Sequence, residues 1–391
     1  MKNLFITLIA AFLLTGNAGA QGGGGVPVFV SGAEGYKTFR IPAIIRLPSG
    51  DLLAFAEGRK NGMADFGHIE IVMKRSADLG QTWSPLQVVA SNDSLQAGNA
   101  APVADVTDPA YPRGRVFLFY NTGNASEGNV RKGKGYRQVW YKTSADGGET
   151  WSDPVNITTE ADRPLHPAIN PAWNFKEDWR SCSNTPGHAI QIGEGLYKGR
   201  IFVAANHSEG SPQPHFQDYH AHGYYTDDHG KTFHLGATIQ IPGSNEVMAA
   251  ALPGNGLMMN MRNQRGDIRA RIVALSKDGG ETWDSTYMDL QLPDPVCQGS
   301  LLALGGHKAT LAFCNDASTH RRDSLTLRVS YDEGKTWGKS YLVDCGAWQG
   351  MTDPRYDPVA YSDITDLGRR RIGILYERGD YAQIVFTVKR W

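Results

Sequence analysis

The sequence has few of the features that direct a chain toward metal clusters, disulfide frameworks or strongly charged partners. It has four cysteines in 391 residues and no Cys-x-x-Cys pair, so their spacing argues against a zinc site. Its 39 lysines and arginines nearly balance its 40 acidic residues, which gives a formal net charge of −1. No overall field therefore favours nucleic acid or an anionic membrane, and any recognition of anions must be local.

The apolar run near the N-terminus is too short to cross a membrane. Leu4 to Leu14 follows Lys2 and precedes the small residues 18–20, the arrangement of a cleavable secretory signal peptide. We predict a signal peptide over residues 1–20, a flexible Gly-rich linker over 21–25 and one folded domain over 26–391. The protein is then exported, to the periplasm or out of the cell. Export permits disulfides, and Cys297 and Cys314 flank a candidate hairpin that one could close.

An eight-residue pattern, Ser/Thr-x-Asp-x-Gly-x-Thr-Trp/Phe, recurs five times. The copies begin at Ser76, Ser144, Thr226, Ser276 and Ser330. We expect each aspartate to accept hydrogen bonds from backbone N–H groups in a tight turn, and each glycine to adopt positive φ. The closing aromatic residue is expected to pack the hairpin against its own sheet. A calcium loop is the competing interpretation, but the ligand count and the closing glutamate of an EF-hand are missing. The repeats are therefore predicted to hold strands together rather than to perform chemistry.

The remaining pattern predicts an all-β fold, since long amphipathic helices are scarce and short strand-like stretches precede most repeats. Ile69–Lys74 and Leu325–Val329 are examples. Repeated four-stranded units indicate a β-propeller. Six blades would take about 62 residues each, close to the repeat spacing of 50 to 82 residues, although the periodicity also allows seven. Val28–Val30 and Ile384–Val388 are both strand-like, so the two ends are expected to share one blade.

Further short motifs follow one another along the chain. They are Phe39-Arg40-Ile41-Pro42, Asn245-Glu246, Met261-Arg262-Asn263, Tyr361-Ser362-Asp363 and Leu375-Tyr376-Glu377. With the five repeats, they resemble the bacterial exo-sialidase (neuraminidase) family, whose Asp-boxes and F-R-I-P signature they match over residues 30–391. The resemblance implies a six-bladed β-propeller that hydrolyses terminal sialic acids as an exo-α-sialidase, with retention through a covalent tyrosyl intermediate. It also implies sialylated glycans on glycoproteins or gangliosides as substrates, a monomer, and no cofactor, metal, nucleic acid or membrane span.

Sialic acid carries a carboxylate on its anomeric carbon, so a site for it needs fixed cations. Arginine suits this task because its guanidinium group is planar and permanently charged. By the resemblance, the carboxylate ligands are Arg40, Arg262 and Arg328. Arg328 has a competing interpretation as a solvated cation at the propeller edge, because Lys74 and Lys142 hold the same offset before their own repeats.

The catalytic residues also follow from the resemblance. Tyr361 matches the nucleophile, and a neutral phenol avoids the repulsion that a carboxylate would meet beside the sugar's own carboxylate; sialidases are a known tyrosine exception among glycosidases. Glu246 matches the base that takes the phenol proton, since a phenol with a pKa near 10 attacks poorly on its own. Asp65, in a polar loop, matches the acid/base residue that protonates the leaving oxygen and then activates water.

Three further residues are assigned to substrate binding. Glu377 resembles the carboxylate that orients Arg40, with a surface salt bridge as the alternative. Arg59 and Asp105 are expected to contact the O4 side of the sugar.

Histidines and tryptophans give weaker signals. The segment 207–229 holds five histidines without a metal-ligand pattern, and we interpret it as an aromatic-rich loop at the pocket rim. Trp140, Trp173 and Trp179 either form an apolar wall for the N-acetyl methyl group or pack between blades.

Two other functions stay open on the sequence. A trans-sialidase, including an intramolecular one, would use the same residues and differ in its product. A non-catalytic sialic-acid-binding propeller would be expected to lack Asp65 or Tyr361, and both are present.

Overall fold

The structure is a computed structural model that describes residues 25–304, 310–346 and 356–391. The predicted signal peptide (1–20) and all of the predicted linker (21–25) except Gly25 lie outside the described residues.

Strands dominate the first half of the described chain. They are β1 (Val26–Val30), β2 (Thr38–Arg46), β3 (Leu52–Arg59), β4 (Ile69–Ser76), β5 (Gln87–Ala90), β6 (Gln96–Asp105), β7 (Arg115–Gly123), β8 (Arg137–Ser144), β9 (Val155–Asn156), β10 (Trp179–Asn184), β11 (Ile190–Gln191), β12 (Ile201–Glu209), β13 (Tyr219–Thr226) and β14 (His234–Leu235). The helical elements are short: α1 (Glu127–Arg131), α2 (Thr158–Ala161) and one 3₁₀ turn (Pro214–Phe216).

The second half continues in the same way. Its strands are β15 (Ser244–Leu252), β16 (Gly256–Asn263), β17 (Ala270–Ser276), β18 (Ser285–Pro293), β19 (Gly299–Ala303), β20 (Leu311–Asp316), β21 (Leu325–Ser330), β22 (Lys339–Asp344), β23 (Val359–Gly368), β24 (Arg371–Arg378) and β25 (Gln383–Arg390). Among the described residues, no helix has both the length and the apolar character needed to cross a membrane.

The strands form five hydrogen-bonded sheets in a β-propeller arrangement, which confirms the predicted all-β propeller class. Four sheets have the size of one blade: β1-β25-β24-β23, β10-β12-β13-β14 with β11 also on β12, β15-β16-β17-β18 and β19-β20-β21-β22. The fifth has eight strands, in the order β2-β3-β4-β6-β7-β8-β9 with β5 on β4.

The prediction of six separate blades is wrong, because the strands form five hydrogen-bonded sheets. Four blades stand alone, and the remaining eight strands are joined. The join is one parallel pair, Ile69 with Gln96, between β4 and β6. On either side of it, β2 to β5 and β6 to β9 are antiparallel meanders of four strands each. One such residue pair does not change the spacing of the repeats, so the sequence could not predict that the two meanders are joined.

The apolar core lies between successive sheets, around a closed ring. Strand β2 contacts β6 on one side and β23 on the other, while β19 contacts β15 and β23. Because both faces of β2 are covered, Thr38–Ile45 is buried throughout, which explains its nearly continuous apolar sequence. The two ends of the domain share a sheet as predicted, with Phe29 of β1 opposite Ile384 of β25.

The Asp-boxes have the predicted turn geometry. In the third copy, Asp228 accepts hydrogen bonds from the backbone N–H and side-chain hydroxyl of Thr232, at 2.9 and 2.7 Å. The N–H of Gly230 donates to Thr226 Oγ1, and the glycine has φ of 84°. The corresponding bonds to the aspartate recur in the other copies, at Asp78, Asp146, Asp278 and Asp332.

Two of the closing aromatic residues pack against a neighbouring sheet and not, as predicted, against their own. Trp83 packs on Phe386 of β25, and Trp151 packs on Phe55 of β3, both in a sheet or meander other than their own. Trp337, which packs on Phe313 of its own sheet, fits the prediction. The reason is close approach between sheets: a Cβ atom added at Gly230 would lie 2.7 Å from Cε1 of Phe117 in the preceding meander. The boxes therefore join neighbouring layers as well as closing their own hairpins.

The predicted disulfide between Cys297 and Cys314 is not formed. All four cysteines are free thiols, with Cys182, Cys297 and Cys314 buried and Cys345 exposed. Cys314 lies opposite Ser300 in the β19–β20 pair, so Cys297, before β19, is out of register with it.

Candidate active site

A polar cavity of about 280 Å³ opens where strands from several sheets converge. Among its lining residues are Arg40, Arg59, Asp65, Glu246, Arg262 and Tyr361, six of the nine predicted site residues. A second cavity, of about 320 Å³, lies beside the Asp-box of Asp146. None of the nine predicted site residues lines this second cavity, so the smaller cavity is the better candidate for the site.

The F-R-I-P segment places Arg40 in the cavity through an irregularity in β2. The register between β2 and β3 shifts between Arg40 and Ala43, and Ile41 has φ of 59°, a strained value for a β-branched residue. The N–H of Ile41 donates to Glu377 Oε1 at 2.8 Å. Arg40 donates to both oxygens of the same carboxylate, at 2.8 and 3.2 Å. The fully buried Glu377 therefore fixes the guanidinium orientation, as the sequence led us to expect.

Tyr361, Glu246 and Arg262 form one hydrogen-bonded group. The phenol donates to Glu246 Oε1 at 2.5 Å and accepts from Arg262 Nη1 at 3.1 Å. Arg262 Nη1 also donates to Glu246 Oε2 at 2.8 Å. The motif's Asp363 supports this arrangement from behind, since it accepts a hydrogen bond from the backbone N–H of Ile44 and so ties β23 to β2.

The surroundings of Tyr361 keep its phenol protonated. Burial raises the pKa of Tyr361 well above its usual value, and the Glu246 carboxylate raises it further. The guanidinium groups of Arg262 and Arg322 act in the opposite direction. A phenolate would therefore form only as the neighbouring carboxylate takes the proton.

Asp65 lies at the mouth of the cavity, with 79% of its side chain exposed. Its Oδ1 accepts a hydrogen bond from Arg59 Nη1 at 2.7 Å and lies 3.9 Å from Arg40 Nη1. Although the side chain is exposed, the protein that surrounds the cavity mouth partly desolvates the carboxyl group and raises its pKa. The guanidinium groups of Arg59 and Arg40 outweigh this effect and bring the pKa of Asp65 below its usual value. Arg59 is held in turn by Glu57, at 2.7 Å.

The prediction of Arg328 is wrong, because Arg328 does not line the cavity. The arginines that line it are Arg40, Arg59, Arg137, Arg262 and Arg322. Arg322 lines the cavity, with its guanidinium carbon 5.7 Å from the centre of the Tyr361 ring. It precedes β21 and donates to Tyr381 Oη at 3.1 Å. Arg328 is buried further along β21 and donates to Asn315 Oδ1 at 3.1 Å. Arg322 precedes Leu325, the first residue of β21, whereas Arg328 lies toward the far end of that strand and outside the cavity.

The prediction that Asp105 belongs to the site is also wrong, because Asp105 does not line the cavity. It ends β6, whereas Gln96 at the start of the same strand lines the cavity. Asp105 accepts hydrogen bonds from Gln191 Nε2 at 2.7 Å and His229 Nδ1 at 2.9 Å, both at the far end. With Asp108 and His229 it could hold a cation, but Arg115 Nη2 lies 3.1 Å from Asp108 and already supplies positive charge.

The histidine-rich segment is not a rim loop. It forms the hairpin of β12 and β13, in which His207 and His222 are fully buried with Nδ1 atoms 3.0 Å apart. Trp179 stacks on His207 at 3.7 Å. The other candidate wall residues, Trp140 and Trp173, likewise pack away from the cavity, on Thr122 and Tyr136 respectively. No tryptophan among the described residues lines the cavity.

A ring of antiparallel sheets with Asp-boxes and an arginine-lined central cavity defines the class of protein. The chain matches the family described as BNR repeat-like domain over residues 50–374, and it belongs to this family. The Asp-boxes are the repeats for which the family is named.

Comparison with individual proteins confirms the resemblance to sialidases. The chain is 29% identical to a sialidase of Micromonospora viridifaciens, over 96% of this chain and 57% of the relative. It is 27% identical to a sialidase of Bacteroides fragilis, over 90% of this chain and 62% of the relative. The chain thus spans about three fifths of these relatives. Among solved structures, Hadza microbial sialidase Hz136 is 26% identical with a TM-score of 0.76, over 94% of this chain and 68% of that one.

Proposed function

We propose that the protein is an exo-α-sialidase, a glycoside hydrolase that removes terminal sialic acids from glycoproteins or gangliosides. The observation that carries this proposal is the 2.5 Å hydrogen bond from Tyr361 to Glu246 inside a cavity lined by Arg40, Arg262 and Arg322. A phenol with its own base, facing several fixed cations, suits a sugar that bears a carboxylate beside the bond to be broken.

The three guanidinium groups would bind the carboxylate of the sugar. Glu377 binds Nε and Nη2 of Arg40, so Nη1, which lies 3.9 Å from Asp65 Oδ1, is the atom that would donate to a ligand. The Nε atom of Arg262 is buried and has no hydrogen-bond partner among the described residues. Planar forks of this kind hold a carboxylate in one orientation, so that the anomeric carbon is presented to Tyr361.

In the first step, Tyr361 Oη attacks the anomeric carbon while its proton passes to Glu246 Oε1. Arg262 Nη1, which already donates to the phenol oxygen, would stabilise the charge that develops there. The bond to the leaving oxygen breaks as that oxygen receives a proton from Asp65. In the second step, Asp65 takes a proton from water, the water attacks the same carbon, and the phenol regains its proton from Glu246. Two displacements give retention of configuration.

Asp65 must be protonated to begin this cycle, and the guanidinium groups of Arg59 and Arg40 lower its pKa. The substrate carboxylate would neutralise part of the charge of Arg40, which removes one cause of that lowering. An acidic pH optimum follows, because the protonated fraction of Asp65 falls as the pH rises.

We also propose that the eight-stranded sheet represents two blades joined by the Ile69–Gln96 pair, which would give six blades in all. The predicted processing of residues 1–20, export to the periplasm or the medium, and action as a monomer complete the proposal.

The test is hydrolysis of sialyllactose and a fluorogenic sialoside by purified protein, compared with its Tyr361→Phe variant. We expect wild-type turnover with release of free sialic acid, initially as the α-anomer in a proton NMR time course, and a loss of at least about 10³-fold in the variant. Tyr356→Phe is the matched control, because Tyr356 is buried nearby but does not line the cavity. Full activity of Tyr361→Phe contradicts the mechanism, and an anhydro or transferred product supports a trans-sialidase instead.

A further inference from the structure

The half of the cavity that faces away from Tyr361 is lined by polar side chains. They are Gln96, Asn99, Glu127, Arg137, Ser183 and Asn206. The apolar residues that line the cavity are Ile41 and Pro186. Ile41 packs against Tyr361, and the carbonyl of Pro186 accepts a hydrogen bond from Gln298, beside β19, at 3.1 Å. Neither residue gives this half an apolar wall.

The order of the sheets places this half opposite Arg322 and Tyr361. Its residues come from β6, β8, β10, β12 and the segment between β7 and β8, whereas Arg322 and Tyr361 come from the sheets of β19 and β23. Around the ring, β6 contacts β2, β2 contacts β23 and β23 contacts β19. In the other direction β6 contacts β12, β12 contacts β15 and β15 contacts β19, so β6 lies opposite β19 and β12 lies opposite β23. In a six-membered sugar ring, C5 is the corner across from C2. A sugar whose C2 lies at Tyr361 therefore directs its C5 substituent toward Arg137.

Two buried polar atoms on this side have no protein partner. Arg137 is 9% exposed; one Nη atom donates to Ser183 Oγ, while its Nε is unpaired and no carboxylate forms an ion pair with it among the described residues. Gln96 is 5% exposed, and its Oε1 is also unpaired. The two side chains are close together, since a Cβ atom added at Gly123 would lie 3.2 Å from Gln96 Oε1 and 3.5 Å from Arg137 Cγ.

We propose that this side of the cavity selects sialic acids whose C5 substituent ends in a hydroxyl group, either the 5-N-glycolyl or the 5-hydroxy sugar, over the N-acetyl sugar. This inference rests on the proposed sialidase function. A hydroxyl group accepts a hydrogen bond from Arg137 and donates one to Gln96 Oε1, which satisfies both unpaired atoms at once. The methyl end of an acetamido group can do neither, and it would leave both buried atoms without a hydrogen-bond partner. Arg137 is therefore assigned as the residue that determines specificity.

The test compares three 4-methylumbelliferyl sialosides that differ only at C5: N-acetyl, N-glycolyl and hydroxyl. We expect kcat/KM for at least one hydroxyl-bearing sugar to exceed that for the N-acetyl sugar by about tenfold or more, as loss of a hydrogen bond to a charged group implies. The better of the two identifies which hydroxyl position the cavity fits. An N-acetyl sugar that is turned over as well as either competitor overturns the inference and leaves the sialidase function standing. Absence of turnover for all three overturns both.

The Arg137→Met variant assigns the preference to this residue. We expect its preference for the hydroxyl-bearing sugar to fall to within about threefold, mainly through a higher KM for that sugar. Arg115→Met is the matched control, because Arg115 is similarly enclosed but lies outside this cavity, and its preference should not change. An unchanged preference in Arg137→Met overturns the assignment. If Arg137→Met does not fold, the shifts in Tm of the wild-type protein caused by the free N-acetyl, N-glycolyl and 5-hydroxy sugars decide the same question, since equal shifts for all three overturn the inference.

Discussion

Arg322 and Arg328 provide a direct experimental test of the site, because the two residues are chemically identical and only the fold separates them. We predict that Arg322→Met lowers kcat/KM for a sialoside, whereas Arg328→Met does not. Arg322 lines the cavity, whereas Arg328 lies further along β21, where it donates a hydrogen bond to Asn315. A bidentate contact with the carboxylate amounts to two charge-assisted hydrogen bonds, of about 1.5 to 3 kcal/mol each. The lower end, about 3 kcal/mol in total, corresponds to a loss of roughly 150-fold.

The loss should fall mainly on KM, because the carboxylate is present in the ground state as well as the transition state. Arg322→Lys should be intermediate, since it keeps the charge without the planar fork. The assay is a set of initial rates with a fluorogenic sialoside, with thermal unfolding as a control, because Arg322 also binds Tyr381 and Asp357. Arg328→Met should lower the Tm without changing kcat/KM by more than about twofold. A large loss in Arg328→Met, with normal activity in Arg322→Met, would refute the placement of both residues.

Three further predictions concern the acid, the Asp-boxes and the buried histidines. Asp65→Asn should lower turnover of sialyllactose by about 10² to 10³-fold but that of an activated aryl sialoside much less, and equal losses would argue against Asp65 as the acid. Gly230→Ala should lower the free energy of unfolding by about 2 kcal/mol, since φ is 84° and the added Cβ meets Phe117, and calorimetry should find Gly128→Ala, where nothing lies within 4 Å, much milder. Burial lowers the pKa of His222 to about 4, so its stabilising contribution is complete above about pH 6.5 and is lost as the pH falls from there toward 4. Urea unfolding between pH 4 and 7 should therefore show a shallower pH slope in His222→Phe, and an identical slope would contradict the burial of a neutral imidazole.

The sequence predicts the parts of the site that depend on short motifs. Arg40, Glu246, Arg262, Tyr361 and Glu377 each belong to such a motif, and all five lie in the cavity or hold a residue that does. The bulge at Ile41 and Pro42 explains why the first of these motifs is so specific, since it combines a strained φ with a residue that lacks an N–H donor.

The errors at Arg328 and Asp105 have one physical cause. Alternation along a strand reveals which face a side chain occupies, but not how far along the strand the cavity lies. Arg328 is near the Asp-box end of β21, and Asp105 is nine residues from Gln96 on β6. Arg322 precedes its strand, in a stretch that the sequence marks only by neighbouring basic residues.

No sequence pattern predicts that Arg137 lines the cavity. It begins an ordinary strand, and its importance comes from Ser183 and Gln96, which only the ring of sheets brings beside it. The join between β4 and β6 is likewise a single pair with no local signal.

The pairing of β1 with β25 has a consequence for how the molecule folds. Val26 lies opposite Phe386, so the contact that completes the circle links positions separated by nearly the whole domain. Closing a loop of this length has a high entropic cost. The contact also cannot form during synthesis until the last strand has emerged. The sheets between the two ends of the domain must therefore assemble first. The strand edges at which β1 and β25 pair stay exposed until these two strands meet. Loss of either β1 or β25 removes the pairing that closes the ring of sheets. A short terminal truncation should therefore destabilise the domain far more than its length suggests.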